Sequence, residues 1–394
     1  MPDWRPMPGW QQPWLRARER TEEQYGQHRG APLDDLQTPA LIVDVEVMNR
    51  NIATMMAALD GQTANLRPHT KVQKCPDIAL LQVQAGAIGV TVATIWEAAA
   101  MAAAGVGSVL VANQVIGSGK ITVAAVLAGQ VDLTVAVDDG RNIAGLSAAM
   151  TAAGTSCGIL VDLDVGMARC GARSPEQALD LARLVDAAPG LVLRGVQAYE
   201  GHCMLEPDRE TRLRLATEAM AYATSVKELL RSDGLDAPEL SAGGTGTYNI
   251  TGANPAVTEL QAGSYVFMDA FHGSLVPGFE VSLTVLTTAM ARHGDTVIFD
   301  AGRKSVGIDF ISPPIQGHDY QARYYAEEHA LFDTGPEFTA DVDDRVRLIC
   351  GYAPTTVNLH DVMFAVSGDR VVDVWPVFPR GPQHCGFLGA FGGR

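Results

Sequence analysis

Residues 86–113 read GAIGVTVATIWEAAAMAAAGVGSVLVAN. An apolar, β-branched run (AIGVTVA) leads into an alanine-rich run (TIWEAAAMAAAG) and then into a second β-like run (SVLVAN). The outer runs suit buried strands, and the middle run suits a helix ended by glycine. Strand, helix and strand in this order predict parallel strands joined by a right-handed crossover.

The same alternation extends outward from this unit. Strand-like runs stand at ALIVDV (40–45), NLRPHT (65–70), DLTVAV (132–137), CGILVDLD (157–164), LVLRGVQAY (191–199), PELSAGG (238–244) and GSYVFM (263–268). Helix-like stretches such as VMNRNIATMMAALD and GRNIAGLSAAMTAAG separate them. Eight or nine such units fit a TIM-type (β/α)8 barrel better than an open sheet. From residue 275 onward strand-like segments follow one another without helices, as in FEVSLTVLTTAMA, DTVIFDAG, VRLICGY, VMFAV and RVVDVWPV. This predicts a second, mainly β domain. Residues 1–36 read as irregular, with Trp4, Trp10 and Trp14 among Pro and Gly and a charged RARERTEEQ after them. Three tryptophans so close together point to an arm packed on the β domain or on a partner subunit. The expected division is therefore an arm over 1–36, a barrel over 37–272 and a C-terminal β domain over 273–394.

The 394 residues suffice for two domains, and 47% hydrophobic with 19% charged residues is a globular composition. A formal charge of −16 argues against nucleic acid and against an anionic membrane surface as partners. No apolar run reaches the ~18 residues of a membrane span, and the N-terminus lacks a basic-then-apolar signal pattern, so a cytoplasmic location is expected. The six cysteines are scattered without a CxxC pair, which disfavours a disulfide framework or a structural zinc site.

Barrel enzymes place their chemistry where strands end. The run RPHTKVQKCP (67–76) puts His69 and Lys71 at such an end. A lysine facing a cavity there is desolvated, and so becomes a neutral nucleophile near pH 7 able to hold an aldehyde; otherwise it is an ordinary surface lysine. The strand at 157–164 runs into VGMARCG, bringing Arg169, for which an ion pair with Asp162 or Asp164 is the structural alternative. The strand at 191–199 ends in QAYEGH, bringing Gln197, Tyr199 and His202. SAGGTGTY follows the next strand, and QAGSYVFMDA carries Gln261, Gly263, Ser264 and Asp269. GGTG can turn several backbone N–H groups toward a phosphate, although the same residues also make plain tight turns. With GSY one strand later it matches the phosphate site that barrels build from their last two strands. Lysine, arginine, tyrosine and a phosphate loop around one barrel mouth point to pyridoxal 5′-phosphate.

Ten stretches in order over residues 37 to about 376 resemble the D-threonine aldolase / D-serine dehydratase family of fold-type III pyridoxal phosphate enzymes, nearest to D-threonine and 3-hydroxy-D-aspartate aldolases. They are QTPALIVDVEVMNRN, RPHTKxxK, GAIGVTVATxxEAAAMAAAG, DLDVGMARCG, VQAYEGH, GGTGTY, GSYVFMDA, DAGRKS, EEH and PTTVNLHD. The resemblance implies an alanine racemase-like barrel counted from the lysine-bearing strand, with ALIVDV joining the C-terminal β domain. It makes Lys71 the cofactor lysine and Arg169 the partner of the cofactor phenolate. Gly244, Thr245, Gly246, Gly263 and Ser264 become the phosphate cradle, and Gln197 and Tyr199 line the ring and substrate pocket. Gln261 takes the position facing the pyridine nitrogen, where its amide is expected to donate. A homodimer is implied, with the β domain closing the active site of the partner.

Two departures stand out. Gln73 replaces a histidine usual in the family. Family members also hold a divalent metal through a His and, two residues on, an Asp or Cys before the PTVNLHD-like segment. Those positions fall here on Tyr352 and Pro354, or on Gly351 and Ala353 with an insertion, so the resemblance carries no metal ligands over. His360, or His384 with Cys385, is the alternative source of ligands, and His329 and His360 have structural alternatives as well. Without the metal, His202, His272 or Tyr352 must act on the substrate β-hydroxyl. The reaction expected is retro-aldol cleavage of a small D-β-hydroxy amino acid to glycine and an aldehyde, with Lys71, Tyr199, His202 and Arg169 as the catalytic set. β-Elimination, a metal-independent racemase, a non-catalytic cofactor carrier and a bare barrel hydrolase are the alternatives.

Overall fold

The computed structural model describes residues 9–381 and 384–391. Sixteen strands occur among them: β1 (Ala40–Asp44), β2 (Asn65–Leu66), β3 (Val90–Val92), β4 (Ser108–Gln114), β5 (Asp132–Val137), β6 (Cys157–Asp162), β7 (Leu191–Ala198), β8 (Glu239–Ala242), β9 (Glu259–Leu260), β10 (Leu283–His293), β11 (Thr296–Phe299), β12 (Ala322–Tyr325), β13 (Ala330–Asp333), β14 (Arg345–Ile349), β15 (Val362–Ser367) and β16 (Arg370–Pro376).

β2 to β9 form one all-parallel sheet in the order β2-β9-β8-β7-β6-β5-β4-β3. Its two ends meet: Thr91 N–H donates to the Pro68 carbonyl at 2.9 Å and Thr70 N–H to the Thr91 carbonyl at 2.8 Å, with His69 bridging Thr91. The sheet is thereby a closed barrel, which removes its edges. Its strands read as near-continuous apolar runs because they are buried on both faces, as in β6, where all six residues are buried. Helices follow the strands, and several start on side-chain caps: Thr94 accepts from Glu97 N–H, Ser174 from Gln177 N–H and Asp208 from Thr211 N–H. Gly154, in the left-handed region at φ +66°, ends the helix Gly140–Ala153.

The second sheet runs β12-β13-β11-β10-β1-β15-β16, with β14 also on β10. β1 pairs antiparallel with β10 and parallel with β15, so ALIVDV belongs to this sheet although it lies inside the 37–272 span. The helix Val45–Leu59 then carries the chain into the barrel.

Three expectations change. Residues 263–268 are not a strand. The barrel strand is β9, four residues earlier, and Ser264–Val266 is a 3-10 turn. The chain has to leave the barrel there, and Ser282 N–H bonds back to the Phe267 carbonyl at 2.8 Å as it crosses to the second sheet. The N-terminal arm is not irregular: Gln12–Tyr25 is a helix, α1. Trp10, Trp14, Ala17, Thr21 and Tyr25 recur at helical spacing. This face packs inward, Trp14 against Phe378 and Trp10 against Phe391, with ring centres 5.9 and 5.7 Å apart. Trp4 lies outside the described residues. β12 and β13 also escaped the sequence reading, since ARYY and ALFD lack long apolar runs.

Candidate active site

A cavity of about 480 Å³ opens at the C-terminal ends of the barrel strands. Lys71 reaches it two residues beyond the His69 bridge. Arg169 comes from the loop after β6, Gln197 and Tyr199 from the end of β7, Gly244 and Thr245 from the turn after β8, and Gln261, Gly263 and Ser264 from beyond β9. The second sheet and the crossover to it contribute Phe271, His272, Phe310 and Tyr352.

The Lys71 amine is pushed down to about 8, first by burial and then by the Arg169 guanidinium, with Glu97 opposing. Lys71 Nζ and Arg169 Cζ each lie 5.5 Å from the Tyr199 ring centre, so both cations share one π-face partner. Asp164 is taken by Arg173, not by Arg169. His69 is buried, and desolvation with Lys71 and Arg169 nearby holds it well below the usual imidazole range, hence neutral. Burial raises the Tyr199 phenol.

Behind the cavity runs a chain of amides ordered by one carboxylate. Asp162 accepts from Gln114 Nε2 and from Gln197 Nε2, each at 2.9 Å. Gln197 Oε1 in turn accepts from Gln261 Nε2 at 3.2 Å, and the same nitrogen donates to Ser241 Oγ at 2.9 Å. A carboxylate only accepts, so the direction of every bond in the chain is fixed. The Gln261 nitrogen is therefore fully engaged, which corrects the expectation that it donates into the cavity. Its carbonyl oxygen is what remains to face the cavity.

The glycine turn is held from below by Glu200. This fully buried carboxylate accepts from Gly243 N–H at 3.1 Å, Thr247 Oγ1 at 2.6 Å and Thr251 Oγ1 at 2.5 Å. Gly263 has no room for a side chain, since a Cβ there would sit 2.6 Å from the His69 carbonyl oxygen. The 3-10 turns Thr245–Thr247 and Ser264–Val266 both begin at the cavity wall. Gly244 N–H is taken by Thr247 Oγ1 at 3.3 Å and Tyr265 N–H by Thr245 Oγ1 at 3.0 Å, so Thr245 and Ser264, the first residues of the two turns, are the ones whose N–H groups suit a phosphate.

Not every sequence candidate lines the cavity. Gly246 lies behind the wall, with Met204 Sδ 2.7 Å from where its Cβ would be. His202 also lies off it, facing Gly166, with Nδ1 buried and unpartnered. Gln73 is interior: it donates to Gln82 at 2.9 Å, and Gln82 donates to the Tyr265 hydroxyl at 2.7 Å. His360 is bonded to the Ser305 carbonyl at 2.7 Å, and His384 packs against Trp96. Sequence reasoning missed Gln114, Glu200, Phe271 and Phe310. Of these only Glu200 lay within a recognised motif, VQAYEGH.

A buried, weakly basic lysine at the mouth of a parallel barrel, a glycine-built anion cradle and a covering β sheet define the fold-type III class of pyridoxal phosphate protein. A family model described as the alanine racemase N-terminal domain matches residues 43–270, and a putative serine dehydratase domain matches 282–366. The chain is 36% identical to a D-threonine aldolase of an Arthrobacter species over 89% of its length and 95% of that protein. It is 34% identical to a 3-hydroxy-D-aspartate aldolase of Paracoccus denitrificans, over 89% and 94%. The crystal structure of a D-threonine aldolase from Filomicrobium marinum superposes with a TM-score of 0.87 at 34% identity, covering 90% of this chain and 98% of that one. The chain belongs to this family of D-threonine aldolase and D-serine dehydratase relatives within the alanine racemase-like barrels.

The donor sets discriminate between the two groups the family implies. Pyridoxal phosphate fits, because Lys71, Arg169, the glycine turns and the Gln261 carbonyl sit around one cavity of suitable size. The metal does not fit. Tyr352 and Pro354 stand at the family positions, and burial keeps the Tyr352 phenol raised and protonated. Among the described residues no group of three His, Cys, Asp or Glu is arranged to hold a cation.

Proposed function

We propose that this chain is a pyridoxal phosphate-dependent lyase that cleaves D-β-hydroxy amino acids between Cα and Cβ, releasing glycine and an aldehyde. The observation that carries the reading is Lys71, a lysine whose amine is lowered to about 8 in a cavity it shares with Arg169, Tyr199 and the glycine turns. The aldolase relatives favour a lyase over a racemase.

When bound, the cofactor supplies a sink for the electron pair left on Cα. Lys71 would hold the cofactor aldehyde and carry protons to and from Cα. Arg169 would pair with the cofactor phenolate, and the Tyr199 ring packs against both the Lys71 and Arg169 head groups. Gly244, Thr245, Gly263 and Ser264 would cradle the phosphate, with Gly246 and Glu200 supporting the turn. Gln261, held by Gln197, would offer its oxygen to the pyridine nitrogen.

The outer wall is apolar: Met167, Met204, Leu205, Phe271 and Phe310 line it. Among the described residues, no lysine or arginine besides Lys71 and Arg169 lines the cavity. An apolar β-substituent, methyl or phenyl, therefore fits better than the carboxylate of hydroxyaspartate. Phe310 and Leu205, each 61% exposed, sit on the rim and offer a surface for a second copy of the chain, in keeping with a homodimer. No described helix is long and apolar enough to cross a membrane, and a cytoplasmic enzyme is the reading adopted.

The test is to incubate the cofactor-loaded protein with D-threonine and with D-phenylserine, and to measure glycine and aldehyde. Glycine with acetaldehyde or benzaldehyde supports the reading. An oxo acid with ammonia would make it an eliminase, and loss of optical rotation without cleavage would make it a racemase.

A further inference from the structure

We propose that His272, oriented by Asp269, takes the β-hydroxyl proton in the cleavage step, in place of the metal ion that the family positions no longer hold. This rests on the lyase reading above.

Asp269 is 0% exposed, and its oxygens are fully assigned. Oδ2 accepts from Ala353 N–H at 2.8 Å, and Oδ1 accepts from His272 N–H at 2.7 Å while lying 2.9 Å from His272 Nδ1. A carboxylate offers no proton, so in the neutral imidazole Nδ1 carries the hydrogen and Nε2 keeps its lone pair. Among the described residues Nε2 meets no hydrogen-bond partner. His272 lines the same cavity as Lys71. This is the arrangement in which a buried carboxylate fixes the tautomer of a base imidazole.

Tyr352 packs against the face of the imidazole. Its ring stacks on His272 with centres 5.8 Å apart and planes 16° from parallel. The residue at the family's first ligand position thus packs against a histidine that lines the cavity. Other candidate bases are less suited. His69 is depressed by burial and flanked by Lys71 and Arg169, Tyr199 is raised by burial, and His202 does not line the cavity.

The step balances. Nε2 of His272 accepts the β-hydroxyl proton, and the O–H electron pair becomes the second bond of the new carbonyl. The Cα–Cβ bond breaks, and its pair remains at Cα. Lys71 then protonates Cα, the products leave as glycine and aldehyde, and the proton on His272 returns to Lys71 through solvent.

The experiment begins with the cofactor-loaded wild type, dialysed against a chelator and assayed for aldehyde. His272→Asn and Asp269→Asn are assayed beside it, together with exchange of the glycine Cα hydrogens with deuterated solvent, which needs Lys71 but no β-hydroxyl base. The chelated wild type should cleave at its original rate. His272→Asn should lose about 10²–10⁴-fold in kcat, the usual contribution of a positioned base, while glycine exchange and the cofactor absorbance persist. Asp269→Asn, which supports the wrong tautomer, should lower kcat with KM near wild type. If wild type cleaves but chelation abolishes this and a divalent cation restores it, or if His272→Asn cleaves like wild type, the assignment is overturned. If wild type cleaves no D-β-hydroxy amino acid, the lyase reading itself falls, and the base assignment with it.

Discussion

Gln197 stands between Asp162 and Gln261, donating to the carboxylate at 2.9 Å and accepting from the second amide at 3.2 Å. A single buried charge thus decides which atom of Gln261 faces the cavity. Asp162→Asn removes that decision. Its NH2 would confront a Gln114 or Gln197 nitrogen, so one amide must turn, and the change propagates to Gln261. We expect the fold to survive with a loss of about 1–3 kcal/mol, the usual cost of a disturbed buried hydrogen bond. The absorbance maximum of the cofactor-loaded protein should also move. An unchanged spectrum would sink the anchored-chain account.

Lys71 sets the pH dependence of cofactor uptake. Its folded pKa, about 8, lies below the ordinary lysine value of ~10.4. A depressed base becomes neutral, and therefore nucleophilic, earlier as pH rises. Uptake of pyridoxal phosphate by the apo protein should accelerate between about pH 7 and 9 and then level off. A rate still climbing above about pH 10 means that Lys71 is an unperturbed lysine.

Glu200 gives a stability prediction. It accepts from one N–H and two hydroxyls with no exposure to water. Glu200→Gln replaces one acceptor by a donor facing donors, at about 1–3 kcal/mol. Urea unfolding should show this loss, and retention of pyridoxal phosphate should weaken with it because the Gly243–Gly244 turn loosens. Wild-type values for both would contradict the role given to Glu200.

Phe310 tests the substrate preference. It stacks on Phe271 with centres 4.5 Å apart at the cavity rim. Phe310→Ala should raise KM for D-phenylserine about three- to tenfold, the scale of one aromatic pair, and change KM for D-threonine less. Equal effects on both substrates would remove Phe310 from the side-chain pocket.

These residues also show what the sequence carried. The barrel was legible because strands buried on both faces are apolar throughout and the intervening helices are alanine-rich. GSYVFM misled for the same reason: Tyr265, Val266 and Phe267 are buried as a turn rather than as a strand, and composition does not distinguish the two. α1 was hidden by the Pro and Gly before it, although the spacing of Trp10, Trp14 and Thr21 was already helical. Lys71, Arg169, Gln197 and Tyr199 were readable because each stands at the end of a barrel strand or in the loop that follows one. Gln114 and Asp162 end β4 and β6, and Asp162 also opens the DLDVGMARCG motif, but both act from behind the cavity through other side chains, and Phe310 arrives on a loop of the second sheet, so a search for groups facing the cavity passes over them. His272 carried one faint signal, an Asp three residues earlier at the cap of a short helix.

Everything assigned to this cavity depends on Lys71 holding the cofactor. The most direct measurement is borohydride reduction of the protein loaded with pyridoxal phosphate, followed by peptide mass mapping, in wild type and in Lys71→Ala. We predict that the reduced cofactor is attached to the peptide containing Lys71, and that the variant carries none. Label on a different lysine, or equal label in the variant, would contradict the account.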